Sequence, residues 1–194
     1  MAAFSRNYLN RLSFVLEQLN DSEFETGLAM IREAWEKGQQ IITLGNGGSA
    51  MTALHFITDW NKIIFLTTGK PFRGRTLLDN LGLITAYGND ISFADIFVEQ
   101  LKNVFQPGDL VVAISGSGNS ENVIRAVSFA NANGCKTLGL CGFSGGRLRE
   151  TAMKSILVPV NDMQLCEDVH AIFGHIVMQS LCGLMKPLNI KQAL

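Results

Sequence analysis

Five consecutive apolar residues, Leu110 to Ile114, run straight into Ser115-Gly116-Ser117-Gly118-Asn119-Ser120, and a helix-forming stretch, Glu121 to Asn131, follows at once. A short run that apolar suits a buried strand. The loop therefore lies between a strand end and a helix start. There the first helical N–H groups have no internal partner and the helix dipole is positive. Three serine hydroxyls and two glycines at that point form a cup suited to a phosphate. Hydroxyls rather than a lysine suit a phosphomonoester that must be released again. The same residues also suit an N-capped turn, since Ser and Gly are common in strand-to-helix loops.

A second loop of this kind lies upstream. Gln40 to Leu44 reads as a short strand, Gly45-Asn46-Gly47-Gly48-Ser49 follows, and a helix runs from about Ala50 to Asn61. The loop lacks the Lys-Ser/Thr ending of a P-loop and the spacing of a dinucleotide fingerprint. Downstream of residue 131 the chain alternates: strand Thr137–Cys141, short helix Arg147–Met153, strand Ser155–Pro159, then a long helix from about Cys166 to Met185. Strands separated by helices predict an α/β fold with a parallel sheet and helices on both faces. Open sheets of that type bind ligands at the carboxyl ends of their strands, where both glycine-rich loops lie.

Two helices are predicted ahead of the sheet. Phe4, Tyr8, Leu12, Val15 and Leu19 recur at helical spacing, Asn20-Asp21-Ser22 interrupts, and Phe24, Leu28, Ile31, Ala34 and Trp35 mark one face of a helix from Glu23 to about Lys37. Such a pair either covers the sheet or packs on the same helices of another subunit. Ile63 to Leu66 fits a strand or a helix end, and Thr68-Gly69-Lys70-Pro71 reads as a loop. Arg75 to Leu78 suits an edge strand, Leu81 to Ala86 a short helix, Tyr87 to Asp90 a turn, and Phe93 to Asn103 an amphipathic helix.

With 194 residues, 47% of them hydrophobic and 17% charged, the chain suits one well-buried domain. A net charge of −1 gives no reason to expect nucleic acid or an anionic membrane as partner. Cys135, Cys141, Cys166 and Cys182 form no C-x-x-C pair and read as free thiols of a reducing compartment. Met1 to Asn10 contains no long apolar run, and no stretch reaches membrane-spanning length. The expectation is a cytoplasmic, soluble protein.

Four motifs together resemble a known family. Gly45-Asn46-Gly47-Gly48-Ser49 with Ala53-Leu54-His55-Phe56, then Ala86-Tyr87-Gly88-Asn89-Asp90, then Ile114 to Ser120, then Glu167-Asp168-Val169-His170 with Gly174-His175 are similar to the SIS (sugar isomerase) domain, phosphoheptose isomerase subgroup. The resemblance implies a single SIS domain over residues 1–194 with a flavodoxin-like parallel sheet, and residues 1–38 as a helical pair used in oligomerisation. It implies a homotetramer with active sites between subunits. The implied reaction converts sedoheptulose 7-phosphate to D-glycero-D-manno-heptose 7-phosphate, in heptose biosynthesis. Asn46, Gly47, Ser49, Asp90, Ser115, Gly116, Ser117, Asn119 and Ser120 fall on substrate-binding positions, and Gln164 stands where an aspartate is typical.

The resemblance also implies a metal-binding, acid–base cluster of His55, Asp59, Glu167 and His175, with Asp59 and His175 catalytic. Here Asp59 replaces a family glutamate, and Glu167 a glutamine. Moving a proton between neighbouring carbons through an enediol needs a base and an acid, and a metal can stabilise the oxyanion. His55 and Asp59, four residues apart, address one helical face, whereas Glu167 and His175 are about 12 Å apart along a helix. Two histidines and two carboxylates suit zinc or a similar divalent ion. His55 also suits a satisfied buried histidine, and His170 and His175 each suit a helix-surface or interface residue. Two other readings stay open: a non-catalytic phosphosugar sensor or protein-binding regulator, and an isomerase of another seven- or eight-carbon sugar phosphate.

Overall fold

The apolar runs form five short strands: β1 (Ile41–Gly45), β2 (Gly74–Thr76), β3 (Leu110–Ser115), β4 (Lys136–Gly142) and β5 (Lys154–Val158). The structure is a computed structural model and describes residues 2–184. All strands pair in parallel in the order β2-β1-β3-β4-β5, the flavodoxin-like arrangement. The helices are α1 (Ala2–Glu17), α2 (Asp21–Glu36), α3 (Gly47–Asp59), α4 (Phe65–Thr68), α5 (Leu81–Asp90), α6 (Ile96–Val104), α7 (Glu121–Ala132), α8 (Gly146–Thr151) and α9 (Met163–Leu181).

Period-two alternation divides the core. Leu110, Val112 and Ile114 of β3 pack with Leu28 and Ile31 of α2, Phe56 of α3 and Phe173 and Val177 of α9. Val111 and Ala113 point the other way, onto Phe97 and Leu101 of α6 and Val123 and Val127 of α7. Helices on both faces explain why the strand reads as an unbroken apolar run rather than an alternating one.

The two leading helices behave differently. On α2, Leu28 and Ile31 enter the core, and the Glu23 carboxylate accepts the Leu157 N–H at 2.8 Å. That side chain covers the open edge of β5, where unpaired backbone would otherwise invite another strand. On α1 only Val15 is buried among the large apolar residues, while Phe4, Leu9 and Phe14 remain exposed. Its polar anchors are the Tyr8 hydroxyl, which donates to Asp168 on α9 at 2.7 Å, and Arg11, which pairs with Asp162 at the start of that helix. The hydrogen bond to that carboxylate pushes the Tyr8 phenol up to about 12.

Three expected boundaries are corrected, and one open choice, strand or helix end at Ile63 to Leu66, is decided. Tyr87 to Asp90 is the last turn of α5, because Ile84 and Tyr87 pack on the α6–α7 layer and carry the helix onward. Ile63 to Leu66 is helical: a π-helical turn, Trp60–Ile64, joins α3 to α4, and Gly69, at φ 73°, ends the run. The edge strand covers only residues 74–76. The last long helix closes at Leu181, and Met185 lies outside the described residues.

Candidate active site

β1 and β3 are neighbours, but the chain leaves them for opposite edges of the sheet, so their carboxyl ends form the topological switch point. The two glycine-rich loops meet there around a cavity of about 240 Å³. Asn46, Gly47, Gly48, Ser49, Ser115, Gly116, Ser117, Ser120, Met163 and Glu167 line it. Ser49 and Ser115 are buried. The N-caps of α3 and α7, Asn46 and Ser120, make no capping hydrogen bond with their side chains. Two helix starts thus bring free N–H groups and positive dipole ends to one crevice, the requirement for holding an anion.

The serine loop is held from behind by the β4–α8 turn. The Gly116 carbonyl accepts from the Gly142 N–H and the Gly118 carbonyl from the Leu148 N–H, each at 2.8 Å. Gly118, at φ 67°, lies so close to the Gly145 carbonyl that a side chain there would collide with it. Asn119 braces this contact rather than lining the cavity: its Nδ2 donates to the Ser117 carbonyl at 3.0 Å, and its Oδ1 accepts from the Arg147 N–H at 3.2 Å. Asp90 is exposed at the end of α5, where its carboxylate accepts from Asn89. Gln164 is exposed in the first turn of α9. Neither lines the cavity within one chain.

A second group stands further along the same two helices. His55 and Asp59 project from α3 and His175 from α9. His55 Nε2 is 2.9 Å from His175 Nε2 and 3.5 Å from the Asp59 carboxylate. One ligand atom from each of the three lies within 4.8 Å of the others. Tetrahedral zinc ligands at roughly 2.0–2.1 Å from the ion stand about 3.3 Å apart. The two spacings from His55 bracket that value and the third lies within 4.8 Å, so two imidazoles and a carboxylate fit a divalent cation.

Glu167, expected as a fourth ligand, does not join them. Eight residues separate it from His175, about 12 Å along α9. Its carboxylate instead lies against Gly48, where any side chain would collide with it. The positive end of α3 favours a negative charge at that point.

Sequence reasoning missed Asn122. Its amide pairs reciprocally with that of Asn46, and its Oδ1 also accepts from the Val123 N–H at 2.9 Å. His170 is buried, with neither ring nitrogen hydrogen-bonded among the described residues. Burial drives its pKa down to about 4, against a weak opposing pull from the Cys141 carbonyl. It makes no contact with the His55 group among those described. All four cysteines are free thiols. No helix among the described residues is long and apolar enough to cross a membrane.

A switch-point cavity suited to an anion, beside a cluster suited to proton transfer, defines an α/β protein of the phosphosugar-handling class. The SIS domain family model matches residues 3–142. The phosphoheptose isomerase of Aliarcobacter butzleri is 37% identical over 147 residues, covering 76% of this chain and 77% of that protein. That of Nitratiruptor sp. is 36% identical over 159 residues, covering 79% of each. The structure of the phosphoheptose isomerase of Neisseria gonorrhoeae superposes with a TM-score of 0.83 at 26% identity, covering 93% of this chain and 96% of that one. This chain belongs to the SIS domain family, among the phosphoheptose isomerases.

Proposed function

We infer that this protein is an aldose–ketose isomerase that converts sedoheptulose 7-phosphate to D-glycero-D-manno-heptose 7-phosphate through an enediol. One observation carries the reading: α3 and α9 each contribute to both the serine-loop cavity and the His55–Asp59–His175 group. From Ser49 to His55 is about 9 Å along α3, and from Glu167 to His175 about 12 Å along α9. That span suits a sugar whose phosphate lies several carbons from its carbonyl.

The phosphate sits among Ser49, Ser115, Ser117 and Ser120 against the two helix starts. Asn46 and Gly47 offer further polar contacts beside it. Asp59 removes the proton from the carbon next to the carbonyl, and His175 serves the oxygen that becomes a hydroxyl. His55, Asp59 and His175 hold a divalent ion, for which zinc is the best match to the donor set. When bound, that ion supplies Lewis-acid stabilisation of the enediolate oxygen. Glu167 faces the sugar chain rather than the ion.

The exposed apolar residues of α1 support use of residues 1–38 in assembly, as a homotetramer with sites between subunits. Asp90 and Gln164, exposed within one chain, are assigned to substrate contacts completed by that assembly. The unpaired thiols support a cytoplasmic location.

The test is turnover of a panel of ketose phosphates before and after chelation. Sedoheptulose 7-phosphate should be the preferred substrate, and zinc should restore activity to the chelated enzyme. Turnover unaffected by complete metal removal would defeat the metal assignment. Preference for another ketose phosphate would defeat the substrate assignment.

A further inference from the structure

We infer that Trp60 is a positioning residue: its hydrogen bond to the Gly174 carbonyl sets how α9 lies against α3, and so where His175 stands relative to His55 and Asp59. The inference rests on assigning the reaction to those three residues.

Trp60 is fully buried, and its indole N–H donates to the Gly174 carbonyl at 3.0 Å. A mid-helix carbonyl already accepts from the N–H four residues on, so Trp60 takes the second lone pair of Gly174. The indole stacks on Phe56 with ring centroids 4.7 Å apart, and Phe72 packs against it, tilted, at 5.6 Å. Phe56 in turn lies so close to Gly174 that a side chain there would collide with its ring. Each partner in this contact is the chain neighbour of a site residue: Phe56 follows His55, Trp60 follows Asp59, and Gly174 precedes His175. This contact between the two helices is therefore built one residue away from the reacting groups.

The π-helical turn begins at Trp60. Such turns add a residue to one helical turn and re-aim the side chains around them. Asp59 stands at the junction, so the indole anchor holds the last α-helical turn in place where the helix changes pitch. Interactions that orient ligands from behind shift metal affinity or activity by roughly ten- to hundredfold when lost. A displacement of about 1 Å has a similar effect on rate.

The experiment replaces the tryptophans with β-(3-benzothienyl)alanine, which keeps the ring shape but has sulfur in place of N–H. The chain has two tryptophans, and the Trp35 indole N–H has no partner among the described residues. Among those residues the analogue therefore removes one indole hydrogen bond. Trp60→Phe is the second variant, and Trp35→Phe the control. Three quantities are read on folded protein: kcat and KM for sedoheptulose 7-phosphate, the zinc dissociation constant, and the imidazole–imidazole Overhauser contact between His55 and His175 in metal-free enzyme.

The expected result for the analogue and for Trp60→Phe is a kcat at least roughly tenfold lower with little change in KM, zinc binding at least roughly tenfold weaker, and loss of the imidazole contact. Trp35→Phe should change none of these. Retention of both kcat and the imidazole contact in the analogue protein overturns the proposal. So does a Trp60→Phe variant that loses only thermal stability. If His55→Ala binds zinc as tightly as the parent, the metal assignment alone fails, and kcat with the imidazole contact still decides the role of Trp60.

Discussion

Asn46 and Asn122 face each other as a reciprocal amide pair, Nδ2 of each donating to Oδ1 of the other at 2.8 and 3.0 Å. Asn46 occupies the N-cap position of α3 and Asn122 lies in the first turn of α7, so the pair ties together the two helix starts that flank the cavity. Asn122 is 2% exposed, and its loss leaves the buried Val123 N–H without its acceptor and the half-buried Asn46 amide without its pair. Asn122→Ala should lower stability by about 1–3 kcal/mol, the cost of leaving a buried amide unsatisfied. Urea denaturation checks this: the midpoint should fall with an unchanged slope. A midpoint equal to that of the parent would show that the pair contributes nothing net.

Ser117 lies at the turn of the serine loop, where its Oγ accepts weakly from the Asn119 N–H at 3.3 Å. Its hydroxyl proton remains available to a phosphate oxygen. Ser117→Ala should remove a charge-assisted hydrogen bond worth roughly 1.5–3 kcal/mol, or about ten- to hundredfold in affinity. Calorimetry should show the loss for phosphorylated sugars and not for their dephosphorylated counterparts. Equal affinity in mutant and parent would place the phosphate elsewhere.

What could be read from the sequence was whatever local chemistry decides. The run Leu110 to Ile114 is buried on both faces and had to be apolar throughout, so β3 and its loop were plain. Gly88-Asn89-Asp90 has turn composition, but Ile84 and Tyr87 pack on their neighbours and extend the helix through it. Ile63 to Leu66 is too short an apolar run to choose a period, and the π-helical turn beside it has no local signal. The same divide runs through the site. His55 and Asp59 share a helical face and were visible as a pair. Their meeting with His175, and the Trp60–Gly174 and Asn46–Asn122 contacts, depend on how separate elements pack, which spacing does not encode.

His170 should make the fold acid-sensitive. In the unfolded chain it protonates near 6.5, and in the folded protein burial lowers that to about 4. Between those values the unfolded state binds more protons, so this contribution is complete above about pH 6.5 and declines as pH falls toward 4. The loss is on the order of 3 kcal/mol. Glu33, held down to about 2 chiefly by its hydrogen bond to Lys136, loses its contribution only below about 4.5. The window from pH 6.5 to 5 therefore separates the histidine from that carboxylate. The melting temperature of the parent should drop across it, and that of His170→Leu should drop less. Identical pH profiles would show that His170 is not the sensitive group.

The carboxylate that moves the proton is the remaining choice between two residues. Asp59 is one methylene shorter than the family's glutamate, and a base misplaced by about 1 Å can lose on the order of a hundredfold in rate. Yet its carboxylate stands 3.5 Å from His55 Nε2, inside the group that contains His175. Glu167 has the longer reach but lines the serine-loop cavity against Gly48. Position therefore favours Asp59 for the carbon-bound proton and Glu167 for the sugar hydroxyls. Asp59→Asn should abolish solvent deuterium incorporation at the substrate carbon while leaving inorganic phosphate binding intact. Glu167→Gln should weaken substrate binding but leave exchange measurable in the bound complex. The reverse pattern would transfer the base to Glu167, with α9 rather than α3 carrying the reactive carboxylate. Exchange undiminished in both variants would remove both carboxylates from the mechanism and leave the imidazoles as the proton carriers.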